Sequence, residues 1–355
     1  MIMSSEMCEF FYRVFGHSTA DKGPSGFLPW YSRRTLLAAI SGAFDGPVGD
    51  SKCTIPLSVH AAGEEVRQHI ESVRVETEQI ENDRASHGNE DAFIVERTDD
   101  MIMMAAVDGH VGTEVAHYIQ KSAWDEFRSE LADIADEMDR SAKIRVALRR
   151  MCIRLDAETE RICIKVENNI RSKLGGIIER EEWDSKAVDT HSVSGPGAVA
   201  CFVVLDLLNG EMHTCTVGDC FCMVRRRDGS LWRVTPLHEA SNPCEQARIM
   251  MSGYSCSFSD TYRIGGLLMP TRVFGDLYVK QDMEEALVCI PAILSFMLDA
   301  SCTHIVVATD GLSCKDREAE VASTLKDTAM EWMRYGTTHD DRTIVIAELS
   351  WGFDI

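Results

Sequence analysis

Carboxylates stand beside the ends of several apolar segments of this chain. The residues concerned are Glu90 with Asp91, Asp108, Asp219, Asp310 and Asp340. A lone Asp-Gly, such as residues 108–109 in the stretch VDGHVG, is most often a simple turn, because Asp bonds nearby backbone and Gly tolerates positive φ. The same context repeated at five places favours one shared site over five separate turns.

Strand-end carboxylates can converge at one edge of a sheet, where their mutual repulsion must be offset. Hard divalent cations offset it, and a set of oxygen ligands suits Mg²⁺ or Mn²⁺ better than Zn²⁺. Two such ions about 4 Å apart share a bridging water, lower its pKa and clamp a phosphoryl oxygen. The pattern therefore points to metal-assisted phosphoryl chemistry.

Charge and cysteine usage narrow the class of protein. The 355-residue chain has a net charge of −21, which argues against non-specific binding of nucleic acid and against attraction to anionic membranes. No apolar run is long enough to span a bilayer. The 13 cysteines are scattered through apolar runs without a C-x-x-C pair, which indicates a reduced protein of the cytoplasm, the nucleus or both.

The strands and helices must bring the carboxylates together. Apolar patterns predict strands within 73–96 and at 101–107, 198–205, 212–217, 222–225, 231–234 and 343–349, with "DLLNGE" and "RRDGS" as hairpin turns. Helical spacing predicts two long helices, over about 115–134 and 144–155, and further helices at "NPCEQARIM", "PAILSFML" and about 316–336. Strands and helices come in groups rather than in strict alternation, which favours an α+β fold.

Two stretches fall outside this pattern. Residues 1–65 are rich in loop signals and are predicted to form an N-terminal extension to a main domain over 66–355. The polar stretch from about 171 to 194 is predicted to be a loop or an insertion.

The motifs in their order resemble one known family. The blocks "NEDAF", "AAVDGHVG", "SGPGAVA", "TVGDC", "RIGGLLMPTRVFGD", "VVATDGLS" and "THDDRTIVI" are similar to those of the metal-dependent Ser/Thr protein phosphatases of type 2C, the PPM family. The resemblance covers roughly residues 73–349. It implies a four-layer α-β-β-α sandwich, in which two antiparallel sheets are flanked by helices and the metals lie at one end.

The resemblance also implies roles for individual residues. Asp108 would bridge two Mg²⁺ or Mn²⁺ ions, and Gly109 would offer its carbonyl oxygen to one of them. The further roles are Asp310, Asp340 and Glu90 at the second ion, Asp91 as support for the ligands, Asp219 at a weak third ion, and His110 as general acid. The implied reaction is hydrolysis of phosphoserine and phosphothreonine in proteins by a metal-bridging hydroxide, without a covalent intermediate, in an enzyme expected to be a monomer.

Several positions depart from the family pattern. Val111 stands where the family usually has Gly, and Cys314 stands where many members have a metal-binding Asp. The position of the phosphate-binding arginine is Ser86, so Arg84 is the nearest substitute. Arg272 is expected to be structural or near the active site, with a simple ion pair to Asp276 as the open alternative.

Two other interpretations compete with an active type 2C enzyme. Cys220 and Arg226 have the C-x5-R spacing of cysteine-dependent phosphatases, but the segment has no glycine and reads as a strand, so this match is interpreted as chance. The second alternative is a pseudophosphatase, a binding or regulatory module without turnover. Val111, Cys314 and the missing arginine favour it, whereas the retained Asp108, His110 and their acidic partners argue against it.

Overall fold

The computed structural model describes residues 67–81, 88–173, 195–258, 262–283, 285–312 and 340–354. The strands are β1 Arg67–Ile80, β2 Ala92–Arg97, β3 Met101–His110, β4 Gly197–Asp206, β5 Glu211–Val217, β6 Phe221–Arg226, β7 Leu231–Arg233, β8 Cys256–Phe258, β9 Tyr262–Ile264, β10 Phe274–Gly275, β11 Ala292–Met297, β12 Cys302–Ala308 and β13 Arg342–Asp354. The helices are α1 Glu114–Ala132, α2 Arg140–Lys173, α3 Pro243–Met251 and α4 Leu277–Asp282.

Two antiparallel sheets form the body of the domain. Sheet A has the strand order β1-β13-β12-β6-β7, and sheet B has the order β11-β5-β4-β3-β2, with β10 also paired to β4. The longest pairing joins β1 to β13, from Arg67 opposite Asp354 to Ile80 opposite Arg342. The first and last described strands are therefore neighbours in sheet A.

Strand β3 shows why the segment after residue 100 is apolar throughout. Its side chains alternate between two faces, as in any strand. Met103, Ala105 and Val107 belong to the core between sheet B and helices α1 and α2. Ile102, Met104 and Ala106 belong to the core between the two sheets. Because both faces are covered, neither set alternates with polar residues.

The α+β sandwich of two antiparallel sheets with helices is confirmed. Three layers lie within the described residues: the α1–α2 pair, sheet B and sheet A. The far face of sheet A carries a third apolar cluster, which includes Phe221, Val306 and Ile346. The helix predicted at about 316–336 lies outside the described residues, as do the 1–65 extension and most of the 171–194 segment.

The local predictions fare differently. Both hairpin turns are confirmed, since β4 pairs with β5 and β6 with β7. Helix α3 begins after Asn242, whose side chain accepts a hydrogen bond from the Cys244 N–H (2.9 Å). The helix predicted at "PAILSFML" is wrong, because Ala292–Met297 form β11, the edge strand paired with β5. A short apolar run does not separate the two states by periodicity. No helix within the described ranges is long and apolar enough to cross a membrane.

Candidate active site

The strand ends gather the predicted carboxylates at one end of the sandwich. Asp108 lies near the end of β3, and Glu90 and Asp91 precede β2, whose first residue pairs with Val107. The other three carboxylates lie at ends of the strands of sheet A. Asp219 lies between β5 and β6, Asp310 follows β12, and Asp340 precedes β13. Ala308, at the end of β12, pairs with both Phe221 of β6 and Ile344 of β13, so these three ends coincide.

Mutual repulsion shows that the acidic side chains act on one another. Burial raises the pKa of Asp108 well above its usual value, and the charges of Asp91, Asp310, Asp340 and Asp219 raise it further. Burial and the charge of Asp310 likewise raise the pKa of Asp219. These carboxylates therefore form one electrostatic cluster, here called the acidic cluster: Glu90, Asp91, Asp108, Asp219, Asp310 and Asp340.

Backbone and side-chain hydrogen bonds hold the rim of the acidic cluster. The Glu90 N–H donates to Asp341 Oδ2 (2.8 Å), and the Asp341 N–H donates to Asp340 Oδ1 (2.9 Å). Thr309 Oγ1 donates to Asp91 Oδ2 (3.0 Å). Asp341 is a residue that sequence analysis missed, although it is the second acid of the "HDDRT" block. It connects the segment immediately before β2, which carries Glu90, to the start of β13.

The donor set fits hard divalent cations. Among the described residues, no group of three Asp, Glu, His or Cys side chains is arranged to hold a metal ion as it stands. The chemistry is nevertheless suited, because the donors are all carboxylate oxygens whose charges repel one another. In addition, the buried Asp91 Oδ1 has no hydrogen-bond partner within the part of the chain that the structure describes. Asp108, Asp310, Asp340 and Glu90 would hold Mg²⁺ or Mn²⁺, with Asp91 supporting them.

The acidic cluster should make the stability of the metal-free protein fall as pH rises. Burial is the largest cause that raises the pKa of Asp340 to about 6 and that of Asp91 to about 8. The folded chain thus keeps protons that the unfolded chain releases near pH 4, so the free energy of unfolding decreases between about pH 4 and pH 8. In chelator, Tm should drop by about 5 °C over that range, measured by differential scanning fluorimetry.

Two variants test the origin of this slope. Asp340→Asn should flatten the dependence of Tm on pH, whereas Asp136→Asn should leave it unchanged, because Asp136 is exposed and its pKa is lowered by the bond from Lys143. Saturating Mn²⁺ should also flatten it, since bound cations replace the protons. A Tm that stays level or rises with pH in chelator would contradict the clustering of the carboxylates.

Gly109 allows the ends of β2 and β3 to approach closely. A Cβ at this position would collide with the carbonyl oxygen of Glu90 and crowd the side chain of Ala116. Only glycine therefore keeps its backbone against the segment that carries Glu90 and Asp91. This close approach is compatible with its predicted use as a carbonyl ligand.

Val111 adopts a backbone conformation that disfavours it. Its φ is +59°, and the next residue, Gly112, also has positive φ (+125°). A β-branched residue in the left-handed region costs about 1–2 kcal/mol. The turn is held by a hydrogen bond from the Gly112 N–H to Glu90 Oε1 (2.6 Å). Glycine adopts this backbone conformation without strain, whereas this chain places a β-branched residue there.

Glycine at position 111 should be more stabilising than alanine. We expect Val111→Gly to exceed Val111→Ala by about 1 kcal/mol in the free energy of unfolding, because Gly has no Cβ to strain at positive φ. The measurement is denaturant unfolding of both variants. The same pair of substitutions at Lys121, an exposed position in the interior of helix α1, should give the opposite order, because Gly is less favourable than Ala inside a helix. Ala above Gly at both positions would mean that Val111 is unstrained.

His110 lies beside the acidic cluster at the last position of β3. Its Nε2 atom is 2.7 Å from Asp276 Oδ2, and the Asp276 side chain is completely buried. Burial opposes the charged imidazolium, but the charge and hydrogen bond of Asp276 outweigh it and raise the pKa of His110 above its usual value. The sequence did not reveal this pair, because 166 positions separate its members.

Arg272 has the structural role that was one of its predicted alternatives. Its Nη2 donates to Glu245 Oε1 (2.7 Å) and its Nη1 to the carbonyl of Ile290 (2.8 Å), so it neither pairs with Asp276 nor reaches the acidic cluster. Arg248 Nη2 contacts the other oxygen of Glu245 (2.9 Å). The predicted ion pair with Asp276 is wrong, because Asp276 contacts His110 and Arg272 is paired with the buried Glu245.

Of the remaining predictions on single residues, some lie outside the described residues and one, on Cys220, can be compared with the structure. Arg84, Ser86 and Cys314 lie outside the described residues, so the phosphate-binding assignment stays a prediction. Cys220 is fully buried immediately before β6, and burial raises the pKa of its thiol well above the usual value. A thiol in this state is no nucleophile, which agrees with the interpretation of the C-x5-R spacing as chance.

The domain combines two antiparallel sheets with an acidic site suited to divalent cations and with a histidine at the same end. This combination is typical of the metal-dependent phosphatases. Residues 67–344, more than half of the chain, match the family model described as Protein phosphatase 2C. The chain belongs to that family.

Known proteins support the assignment. "Probable protein phosphatase 2C 21" of Arabidopsis thaliana is 24% identical over 64% of this chain and 68% of its own length. A "Protein kinase and PP2C-like domain-containing protein" of Oryza sativa subsp. japonica is 30% identical over 38% of this chain, but the match spans only 20% of that longer protein.

The fold recurs in solved structures. A sex determining protein of C. elegans has a TM-score of 0.60 at 18% identity, over 89% of this chain and 71% of that one. A phosphatase of Toxoplasma gondii has a TM-score of 0.54 at 18% identity, over 82% and 98%. At this identity the likeness concerns the fold.

Proposed function

We propose that this protein hydrolyses phosphoserine and phosphothreonine in other proteins, with two Mg²⁺ or Mn²⁺ ions as cofactors. Membership of the family supports metal-dependent phosphatase activity. The observation that carries the proposal for this chain is the acidic cluster beside His110, because it supplies both the cation ligands and a proton donor. When bound, the two ions would lower the pKa of the attacking water and offset the charge of the phosphoryl group.

The chain's own residues perform the other steps. Asp108, Asp310, Asp340 and Glu90 would hold the cations, and Asp91, itself fixed by its bond from Thr309, would support these ligands. His110 donates a proton to the departing Ser or Thr oxygen, a task that suits an imidazole near neutral pH. Arg84 is proposed to bind the phosphate, and Asp219 to contribute to a weak third ion.

The proposal is tested by turnover of p-nitrophenyl phosphate and of a phosphoserine peptide, each with Mn²⁺ or Mg²⁺ and with chelator. Activity should require the metal and should survive Cys220→Ser, because that thiol is buried and takes no part. Turnover that persists in chelator, or that is lost with Cys220, would overturn the mechanism.

The pseudophosphatase is the second candidate, and the strained Val111 favours it. It predicts that two ions bind, as measured by calorimetry, without hydrolysis of either substrate. The retained acidic cluster and the intact His110 support the active enzyme instead. We further propose that the enzyme is a monomer of the cytoplasm, the nucleus or both. In support, the described cysteines are all free, and most are buried.

A further inference from the structure

We propose that Asp276 is a positioning residue for His110: it accepts the Nε2–H and thereby directs the other ring nitrogen, Nδ1, to deliver the proton. The inference deepens the proposed function and rests on it, since it concerns the same proton donor. The starting observation is the 2.7 Å contact between His110 Nε2 and Asp276 Oδ2.

The carboxylate of Asp276 has no other evident task. Asp276 precedes helix α4 at the N-cap position, yet its side chain makes no capping hydrogen bond. Its Oδ1 atom is buried without a hydrogen-bond partner, so the contact with His110 is the one hydrogen bond of this carboxylate in the described part of the chain. Burying a carboxylate is unfavourable in free energy unless a hydrogen-bonding or charged partner compensates for the lost hydration.

The backbone around Asp276 is held firmly. Its N–H donates to the Pro196 carbonyl (3.1 Å). Asp156 of α2 accepts from the Gly275 N–H (3.0 Å) and from Lys280 Nζ (2.6 Å), which ties both sides of Asp276 to the long helix. The position of the carboxylate is therefore set by β4, β10, α2 and α4 together rather than by a mobile loop.

The absence of a side chain at Gly197 leaves room for the contact between His110 and Asp276. Gly197 lies opposite His110 in the β3–β4 ladder and opposite Gly275 in the β10–β4 ladder. A Cβ on Gly197 would collide with both His110 Nε2 and Asp276 Oδ2. Three segments thus meet where only a hydrogen atom fits, and the contact depends on that absence of a side chain.

Backbone strain is concentrated at the same place. Among the described residues, the non-glycine residues with positive φ are Val111 (+59°) and Asp276 (+49°). The first follows His110 in the chain, and the second is its hydrogen-bond partner. Strain of this kind persists only where the surrounding structure imposes it, and it gathers at functional sites. Both strained residues therefore adjoin His110, Val111 through the chain and Asp276 through the hydrogen bond.

The proposed step balances as follows. The phosphorus–oxygen bond to the Ser side chain breaks as the attacking water, having released one proton to solvent, bonds to phosphorus through its oxygen and becomes a hydroxyl of the phosphate. The proton on Nδ1 of the imidazolium passes to the departing oxygen, and His110 is left neutral with its proton on Nε2, still bonded to Asp276. An aspartate orients the histidine of a catalytic triad by the same kind of bond, although there it accepts from Nδ1–H and leaves Nε2 to transfer the proton.

The test combines a spectroscopic and a kinetic measurement on the full chain. In protein with ¹⁵N-labelled histidine, the ring signals of His110, assigned by their absence in His110→Gln, should report the Nε2–H tautomer in the neutral state. Asp276→Ala and Asp276→Asn should shift these signals toward a mixture of tautomers. Asp282→Asn, an exposed acid at the end of α4, is the control and should leave them unchanged.

The kinetic arm uses two leaving groups. With Mn²⁺, Asp276→Ala should lower kcat for a phosphoserine peptide about 10–100-fold, but for p-nitrophenyl phosphate less than about 3-fold, because p-nitrophenolate leaves without a proton. The double variant His110→Gln/Asp276→Ala should be no slower than His110→Gln alone. Asp276→Asn keeps the shape of the side chain and guards against a loss of folding, which thermal unfolding checks.

The outcomes separate the two proposals. Unchanged His110 signals in both Asp276 variants, or equal losses with both substrates, would overturn the positioning role. A wild-type protein that turns over neither substrate, but whose His110 signals still depend on Asp276, would overturn the proposed function and keep the positioning role.

Discussion

Asp108→Asn should lower kcat for a phosphoserine peptide by about 10³-fold or more, equivalent to roughly 4 kcal/mol of transition-state stabilisation. The reason is that Asp108 lies at the centre of the acidic cluster, where the charges of four other aspartates act on it. An amide at this position offers a weaker, neutral ligand to the two cations. Steady-state kinetics with Mn²⁺ measure the loss, and calorimetric titration with Mn²⁺ should show weaker binding.

The same substitution should raise the stability of the metal-free protein. Asp108 is buried among like charges, so a neutral Asn removes a repulsion that the folded state bears without metal. Its matched control is Asp206→Asn at the far end of the same β3–β4 ladder, where Asp206 is fully buried and accepts from Arg140 Nε (2.9 Å). This control should lower Tm. An Asp108→Asn variant that loses activity and stability together would indicate misfolding rather than loss of a ligand.

Glu245→Gln should destabilise the domain by about 3–5 kcal/mol. Glu245, Arg248 and Arg272 are each about 3% exposed, so the substitution leaves two arginines buried without a counter-charge. Burial by itself would raise the pKa of Glu245, but the charges of Arg272 and Arg248 lower it below the usual value. The carboxylate also accepts a bond from Thr271 Oγ1 (2.7 Å). Urea unfolding measures the loss.

An exposed pair of the same spacing serves as the control. Glu158 and Arg161 are also three residues apart on a helix, but their side chains are 43% and 78% exposed. Glu158→Gln should therefore change the free energy of unfolding by less than about 1 kcal/mol. Equal effects at the two positions would mean that burial of the Glu245 cluster adds nothing to its energetic importance.

Much of this arrangement follows from the sequence, for a physical reason. Apolar runs such as 101–107 are long because both faces of their strands are covered, so they stand out from the polar turns. The carboxylates stand where those runs end, and antiparallel pairing then brings the ends together. The order of the motifs along the chain indicated the family, and the structure has the fold that the family implies.

The wrong predictions arose because a local sequence pattern carries no information on which distant segments a residue contacts. The segment 292–297 is apolar and short, and its pairing with β5, some 80 residues earlier, decides that it is a strand. Arg272 and Asp276 lie four residues apart, yet each is paired with a residue of another segment, Glu245 and His110. Choices of partner of this kind depend on three-dimensional geometry, which neither spacing nor composition encodes directly.

The pairing of β1 with β13 has a consequence for the order of folding. Because β13 lies between β1 and β12, the middle of sheet A stays open until a segment nearly 300 positions after β1 has docked. Contacts of such long range form slowly. The carboxylates of residues 90 and 340 meet only at that step, through Asp341. During synthesis the acidic cluster would therefore come together only after β13 has been made, and the proposed catalytic site would form late in the folding of this domain.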